Sequence, residues 1–364
     1  MTPLRGTLVV DASRMLPGAV LARQLLELGA RLIKVEDPAG GDPLRGAPPL
    51  VDGTGAGFEE FFRGAESLCL DLRVPRDAAR LRKLVRGADV FVESFRPGSM
   101  ESWGIGPDRL IASNPSLVLC MLSGFGTRGR SAMRVGHDIN FVAVTGLLDL
   151  LPGANLPRVQ IADINAGLLA CSAILAALLA RAHGGRGTVI DQPLTSGAMP
   201  LLAWPLADAS AGGGGLTDPD SLLTGGCPAY RIYACRDSLR LAVGAVEPKF
   251  WVELMKMLYL TGLDDLGLDT GEEGEAAARQ VQARFAERDR SHWLGEAARR
   301  ELPLTAVHSL DQAAGEEALA ESGLLVEGRC GAFMPSVGHR PVAPAPGLGE
   351  HDSALIREFG LDAE

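Results

Sequence analysis

The sequence predicts an α/β fold in which a Rossmann-like large domain with a parallel sheet is joined to a smaller α+β domain. Three observations support this. Strand-like and helix-like segments alternate through the first 125 residues, a second strand-rich stretch follows a glycine-rich segment, and 364 residues exceed the roughly 250 that a single core supports. Single helices between successive strands favour right-handed βαβ units and hence parallel strands.

Short apolar runs mark the expected strands of the large domain, and apolar residues three or four apart mark its helices. Strands are expected at 7–13, 31–37, 67–73, 89–94, 116–123 and 188–194, and helices at 18–30, 76–88, 107–113 and 163–182. The first strand leads into "DASRMLPGAV", which lacks the G-x-G-x-x-G spacing of dinucleotide-binding folds. A nicotinamide cofactor is therefore not expected.

The domain boundaries are predicted from composition. Residues 1–205 form the large domain, which 325–364 complete; residues 206–226 form a glycine-rich linker; and residues 227–324 form the small domain. The small domain opens with a hairpin over 230–246 that turns near 236–238, and helices follow within 248–299 and 311–322.

Composition excludes several classes of protein. A net charge of -10 and a pI near 5.2 argue against nucleic-acid binding through a basic face. The six cysteines form no C-x-x-C pair and are predicted to be reduced thiols. The longest apolar run, 166–180, is shorter than the roughly 20 residues of a membrane span, and no signal peptide is recognisable. We expect a cytoplasmic enzyme with neither nucleic acid nor membrane as a partner, and no metal site.

Three residues are candidates for acid/base chemistry. His137 begins an element in "VGHDINF", Asp163 precedes an apolar helical run, and Glu247 follows the second strand of the predicted hairpin. Each has a structural alternative: a capping or core histidine, an ordinary helix N-cap, and an acid at a helix start before Pro248.

Arginines follow the ends of the early strands, where ligands bind in open parallel sheets. They are expected to grip an anionic ligand, although solvated surface arginines would give the same pattern. Arg96 is the first candidate, because it lies between an aromatic residue and a Pro-Gly turn; the others are Arg14, Arg45, Arg63 and Arg73.

Longer motifs identify a family. "LIKVEDPAGGDPLR", "LCLDLR", "ADVFVESFRPGSMESWGIG", "NPSLVLCMLSGFGTRG", "GHDINFVAVTGLL" and "GLGEHDSALIREFGL" resemble, in that order, the class III CoA-transferase (CaiB/BaiF) family. "GHDIN", "GAVEPKF" and the short "GGCPAY" are most similar to its α-methylacyl-CoA racemase branch. The resemblance implies an interlocked homodimer whose active site lies between the large domain of one subunit and the small domain of its partner.

The resemblance also implies roles for individual residues. His137 and Asp163 would be the two acid/base groups on opposite faces of the acyl α-carbon, and Glu247 would orient or tune His137. Gly136, Asp138 and Asn140 would support this motif. The contacts to CoA would come from Arg14, Met15, Leu70, Leu72, Arg73, Phe95 and Arg96. CoA itself is part of the substrate, so no cofactor is implied.

The implied activity is interconversion of (R)- and (S)-2-methylacyl-CoA thioesters by α-proton transfer through an enolate. Such a site needs a base, an acid and a donor to the developing oxyanion, and free N–H groups at the start of the helix near Asp163 would serve as that donor. One alternative is a CoA-transferase in which Asp163 forms a mixed anhydride with the acyl group. Another is a CoA-binding homologue that has lost catalysis.

Four positions depart from the family pattern. Ala65 and Ser102 stand where basic residues are usual, and Phe141 replaces the usual tyrosine after "GHDIN". Asn165 interrupts the usual run of glycines after Asp163 and is expected beside the reaction centre.

Overall fold

The structure is a computed structural model that describes residues 2–151, 153, 156–213, 215, 218, 220–327 and 329–362. The chain divides into two compact units: unit 1 comprises Met1–Pro200 and Glu317–Glu364, and unit 2 comprises Leu201–Glu316. A helix spans Met199–Ser210, so the expected end of the large domain at residue 205 falls inside it. Within the expected linker, Gly214, Leu216, Thr217 and Pro219 lie outside the described residues.

The strands of the described chain are β1 (Leu8–Ala12), β2 (Arg31–Glu36), β3 (Leu50–Val51), β4 (Thr54–Gly55), β5 (Glu66–Cys69), β6 (Val90–Glu93), β7 (Val118–Ser123), β8 (Thr188–Pro193), β9 (Tyr230–Ala234), β10 (Arg240–Gly244), β11 (Leu304–Ala306), β12 (Leu325–Val326) and β13 (Arg329–Cys330). Among them, six form one parallel sheet in the order β5-β2-β1-β6-β7-β8. The predicted parallel sheet is confirmed.

The α-helices of the described chain are α1 (Met15–Glu27), α2 (Ala56–Phe61), α3 (Pro75–Arg86), α4 (Ser99–Ser102), α5 (Pro107–Ser113), α6 (Asp138–Val144), α7 (Ile161–Ala182), α8 (Met199–Ser210), α9 (Pro248–Leu258), α10 (Glu272–Phe285), α11 (Arg290–Ala298), α12 (Leu310–Ala313), α13 (Glu317–Glu321) and α14 (Asp352–Glu358). Helices cover both faces of the parallel sheet. Val9 of β1 packs in a core with α1 and α7, whereas Val10 packs in a second core with α3, α5 and α14. This alternation follows from the two-residue period of a strand.

Helix α7 is the longest helix of the described chain and packs against α1. A Cβ on Gly167 would lie 2.6 Å from the carbonyl oxygen of Pro17, so only glycine allows this close approach. By length and composition α7 could also cross a membrane, and a third of its most apolar window is buried. A buried core helix meets the same criteria, so the finding assigns no membrane span.

The C-terminal segment returns to unit 1 and covers the edge strand β5. Asp352 Oδ1 accepts the backbone N–H of Cys69 at 2.8 Å, and His351 Nδ1 accepts that of Ser67 at 3.2 Å. Arg31 links the same region through ion pairs to Glu66 and Glu358. The edge of the sheet is thereby paired with side chains from the end of the chain.

Unit 2 is an α+β unit built on the predicted hairpin. Strands β9 and β10 are antiparallel and are joined by a turn in which Ser238 has a φ of 61°. Strand β11 adds to β10 and was not predicted, because its three residues are too few to show a period. Helices α9, α10 and α11 contribute Trp251, Phe285 and Trp293 to a core of their own.

Candidate active site

A cleft of about 640 Å³ lies in unit 1 where the chain leaves β1, β6 and β7. Ligands bind at this end of the strands in open parallel sheets, as the sequence predicted. The cleft brings together many residues to which the sequence assigned a role: Arg14, Met15, Phe95, Arg96, Gly136, His137, Asn140 and Asp163.

His137 lines the cleft at the N-cap of α6. Its backbone N–H donates to Asn140 Oδ1 at 3.0 Å, which fixes the entry of the chain into the helix. A Cβ on Gly136 would lie 3.1 Å from the Asn140 Cβ and 3.1 Å from the Phe141 ring, so glycine allows a close approach there. Phe141 is buried and meets Phe125 edge to face at 5.3 Å.

Asp163 lies in the first turn of α7, two residues after the helix begins at Ile161. Burial, and secondarily the neighbouring charge of Asp138, raise the pKa of the Asp163 carboxyl to about 7. Its Oδ1 is buried and has no hydrogen-bond partner among the described residues. The start of a helix favours an ionised carboxylate, but at Asp163 burial is the larger influence.

Asp138 is hydrogen-bonded to Asp163. The backbone N–H of Asp163 donates to Asp138 Oδ1 at 3.0 Å, and Asp138 is buried. Asn140 is hydrogen-bonded to the backbone of His137, whereas Asp138 contacts the backbone of Asp163, so a supporting role of Asp138 toward His137 stays a prediction. The Asp163 N–H is also occupied, so it is not one of the free oxyanion donors that the sequence suggested.

The predicted CoA contacts lie along two cavities that share Arg14 and Phe95. A smaller cavity of about 200 Å³ is lined by Arg14, Leu70, Leu72, Arg73 and Phe95. Met15 and Arg96 line the larger cleft. The Arg14 guanidinium lies 5.8 Å from the centre of the Phe95 ring. The lining of the two cavities therefore combines apolar side chains with the arginines Arg14, Arg73 and Arg96, and it also contains the acidic residues Glu36, Asp37, Asp71 and Asp163.

The five candidate arginines differ in their position: Arg14, Arg73 and Arg96 line the two cavities, whereas Arg45 and Arg63 do not. Arg96 lines the cleft and forms no ion pair within the described part of the chain, whereas Arg14 lies 3.9 Å from Asp37. Arg73 is paired with Asp71 at 2.7 Å and with Asp37 at 3.2 Å. Arg45, in contrast, is held by both oxygens of Glu36 at 2.7 and 2.6 Å.

Arg63 donates to the carbonyl oxygens of Pro341 and Val342. Arg45 and Arg63 therefore hold segments of unit 1 together, and their expected contact with an anionic ligand stays a prediction.

The remaining predicted positions lie away from the cleft. Asn165 is not among the lining residues of the cleft, because two residues along a helix turn a side chain about 200° from Asp163. Its expected position beside the reaction centre stays a prediction. Ser102 Oγ donates to the Ser99 carbonyl oxygen at 2.7 Å. Glu247 is the N-cap of α9 in unit 2, and its action on His137 stays a prediction.

Two acidic residues of the strands were not predicted to have a role. Asp191 on β8 accepts the backbone N–H of Thr127 at 3.0 Å and its hydroxyl at 2.7 Å, and so holds the loop that leads to His137. Glu93 on β6 is buried, and burial raises the pKa of its carboxyl to about 8. The sequence signal that could have indicated Glu93 and Asp191 is an acidic residue within an otherwise apolar strand, in "DVFVES" and "TVIDQPL". The described residues contain no cluster of three or more His, Cys, Asp or Glu side chains suited to a metal ion.

Comparison with known proteins identifies the family. The model of CoA-transferase family III matches residues 4–352. The chain belongs to CoA-transferase family III. The family resemblance noted in the sequence is thereby confirmed. The relatives of this chain include both racemases and CoA-transferases.

Relatives of both activities match nearly the whole chain. The α-methylacyl-CoA racemase of Homo sapiens is 31% identical over 99% of this chain and 94% of its own length. The succinyl-CoA:glutarate CoA-transferase of Mus musculus is 28% identical over 98% of this chain and 86% of its own length. Among solved structures, a CaiB/BaiF family protein from Brucella suis has a TM-score of 0.86 and 26% identity, covering 98% of this chain and 99% of that one.

Proposed function

We propose that this family III protein is a 2-methylacyl-CoA racemase that uses His137 and Asp163 as its two acid/base groups. The observation that carries the proposal is that both residues line one cleft and that the Asp163 carboxyl has a pKa near 7. One residue removes the α-proton of the thioester to give an enolate. The other donates a proton to the opposite face of the same carbon, so the reaction is balanced without a cofactor.

The pKa of Asp163 suits a proton carrier better than a nucleophile. A racemase works in both directions, so each group must act as an acid in one direction and as a base in the other. A pKa close to the working pH populates both forms, which is the condition for efficient general acid/base catalysis. A carboxylate that attacks a thioester must be ionised, and a raised pKa lowers the ionised fraction at neutral pH.

The proposal includes an acyl-CoA bound along the two cavities, with Arg14, Arg73 and Arg96 facing its phosphates. It also includes the interlocked homodimer and a small-domain Glu247 that tunes His137. The similarity to the human racemase supports these three parts of the proposal, because it extends over 99% of the chain, including unit 2.

CoA transfer between carboxylic acids is the second candidate. Asp163 Oδ1 has no hydrogen-bond partner in the described part of the chain and lies on the cleft, where it could attack a thioester carbon and release CoA. The released CoA thiolate would attack the Asp163 carbonyl of this mixed anhydride, which frees the donor acid and leaves CoA on Asp163 as a thioester. The acceptor carboxylate would attack that thioester to form a second anhydride, and CoA would then attack the acceptor's acyl carbon, which yields the new acyl-CoA and restores the Asp163 carboxylate. The mouse transferase, which is similar over 98% of this chain, supports this alternative.

Incubation of the protein with a 2-methylacyl-CoA in deuterated water distinguishes the two reactions. Racemisation incorporates deuterium at the α-carbon without any acceptor acid, and we expect this result. His137→Ala and Asp163→Asn should each abolish the exchange of one enantiomer, while Asn165→Ala, which is outside the cleft, should retain it. CoA transfer to an added carboxylic acid with no deuterium uptake would contradict the racemase proposal. CoA binding with neither activity would identify a non-catalytic homologue.

A further inference from the structure

The turn between β1 and α1, formed by Ser13, Arg14 and Met15, has a strained backbone. Met15 has a φ of 66°, in the left-handed region that residues with a side chain rarely adopt. Arg14 and Met15 both line the cleft, so this turn carries part of the predicted CoA-binding surface. Such strain persists only where the surrounding structure holds the backbone in place.

Side chains from other segments hold each backbone N–H of this turn. The N–H of Arg14 donates to Ser94 Oγ at 2.8 Å, and that of Met15 donates to Asp42 Oδ1 at 3.4 Å. The N–H of Ser13 donates to Asp11 Oδ1 at 2.8 Å. The turn is therefore fixed by one local contact, with Asp11, and by two tertiary contacts, with Ser94 and Asp42.

Lys34 connects these supports. Its ammonium group donates to the carbonyl oxygen of Ser13 and lies 3.2 Å from Asp11 Oδ2 and 3.2 Å from Asp42 Oδ2. The side chains of all three residues are at most 2% exposed. Burial alone lowers the pKa of Lys34, but the charges of Asp11, Asp42 and Glu36 raise it above its ordinary value, so the ammonium stays protonated.

The buried charges of Lys34, Asp11 and Asp42 are costly for the fold. Two carboxylates and one ammonium removed from water carry a desolvation cost that well-packed apolar residues of similar volume would avoid. The contacts show what the arrangement provides. Asp42 turns one oxygen to Lys34 and the other to the N–H groups of Met15 and Leu44, so it links the ion cluster to the strained residue.

We propose that Asp42 and Lys34 are positioning residues for CoA binding, which act by holding Met15 in its left-handed conformation so that Arg14 and Met15 stay on the cleft. The inference rests on the proposed binding of CoA to this surface, but not on the choice between racemase and transferase. It assigns no chemical step to either residue.

A double-mutant cycle tests the proposal. The dissociation constant of CoA is measured by titration calorimetry, and the thermal unfolding midpoint is recorded, for the wild type, Asp42→Ala, Met15→Gly and the double variant. We expect Asp42→Ala to weaken CoA binding about tenfold, the factor associated with release of a strained residue. Glycine adopts the left-handed region without strain, so in the Met15→Gly background the same substitution should weaken binding less than about threefold.

Two further variants complete the design. Asp42→Asn keeps an oxygen that can accept the Met15 N–H, so it should retain more CoA affinity than Asp42→Ala, and it serves as the test should the alanine variant not fold. Glu301→Gly relaxes a left-handed residue of unit 2, where φ is 53°, and should leave CoA affinity unchanged.

Equal weakening of CoA binding by Asp42→Ala in both backgrounds would overturn the inference. So would a lower unfolding midpoint with unchanged CoA affinity, which is the signature of a purely structural cluster. A wild-type protein that does not bind CoA would instead remove the proposed function together with this inference, so the two failures are distinguishable.

Discussion

The backbone N–H of Asp163 donates to Asp138 Oδ1 at 3.0 Å, so two acidic residues 25 positions apart meet at the first turn of α7. The contact brings a negative charge close to the Asp163 carboxyl, and that charge adds to burial in raising the pKa of Asp163. Asp138 thereby influences the pH at which the proposed acid/base group changes its protonation state.

Asp138→Asn should move the pH dependence of catalysis. Asparagine retains an oxygen for the Asp163 N–H but removes the charge, so the pKa of Asp163 falls from about 7, while burial keeps it above its ordinary value of 3.8. The acidic limb of α-proton exchange, measured as kcat/KM against pH for the enantiomer that Asp163 deprotonates, should shift to lower pH. Asp149→Asn removes an exposed carboxylate outside the cleft and should leave the limb in place. An unshifted limb in Asp138→Asn would show that this charge does not reach Asp163.

Asp163→Asn should stabilise the protein above neutral pH while it abolishes the α-proton exchange of one enantiomer. The folded pKa of about 7 lies above the ordinary 3.8, so the folded state binds this proton more tightly than the unfolded chain does. Its contribution to stability is complete below about pH 4 and is lost as the pH rises through 7. At pH 8 the variant should gain on the order of 2 kcal/mol in the free energy of unfolding, and near pH 4 it should gain little. Urea denaturation at both pH values measures the difference, and an equal change at the two would contradict the raised pKa.

Arg96 and Arg45 should respond to the same substitution in opposite ways. Arg96→Gln removes a cleft cation that has no ion-pair partner among the described residues, so it should raise the dissociation constant of CoA about tenfold with little change in stability. Arg45→Gln leaves the carboxylate of the fully buried Glu36 without its ion pair to Arg45, and it should lower the free energy of unfolding by about 3 kcal/mol. Titration calorimetry with CoA and urea denaturation of both variants check the pair. A loss of stability in Arg96→Gln equal to that in Arg45→Gln would show that Arg96 is structural.

Gly136→Ala should impair catalysis through the position of α6. The added Cβ would lie 3.1 Å from Asn140 Cβ and from the Phe141 ring, and the neighbours must move by a few tenths of an ångström. His137 is the next residue in the chain and would move with α6, so kcat for deuterium exchange should fall about tenfold or more. Gly57→Ala, where a Cβ meets nothing within 4 Å, is the matched control and should leave kcat unchanged. Similar rates for the two variants would indicate that α6 tolerates the displacement.

The order of elements in unit 1 could be predicted because each signal is local. The short helix 107–113 was placed at its observed bounds, since Pro107 marks its first residue and an apolar strand follows. The start of α1 was placed three residues late, because Pro17 and Gly18 discourage a helix in the sequence, and the structure begins it at Met15. That start depends on the supports from Asp42 and Ser94, which are distant in the chain.

The membership of the cleft could largely be predicted, but the contacts within it could not. Arg45 and Arg96 both follow a strand, and no local pattern distinguishes them; the difference is Glu36, which lies close enough to hold only Arg45. The contact between Asp138 and Asp163 likewise depends on how α6 and α7 pack. Side-chain partners of this kind are set by tertiary structure, whereas strand ends are set by sequence pattern.

The C-terminal segment that covers β5 has a consequence for biosynthesis. On the ribosome, residues of unit 2 are synthesised before Asp352 and His351, which supply the partners of Cys69 and Ser67 on the edge strand. In a nascent chain the edge strand of the parallel sheet therefore lacks these partners until residues 351 and 352 have been synthesised. Until then the edge strand can pair with other chains, so we expect the segment that carries His351 and Asp352 to limit aggregation of newly made protein.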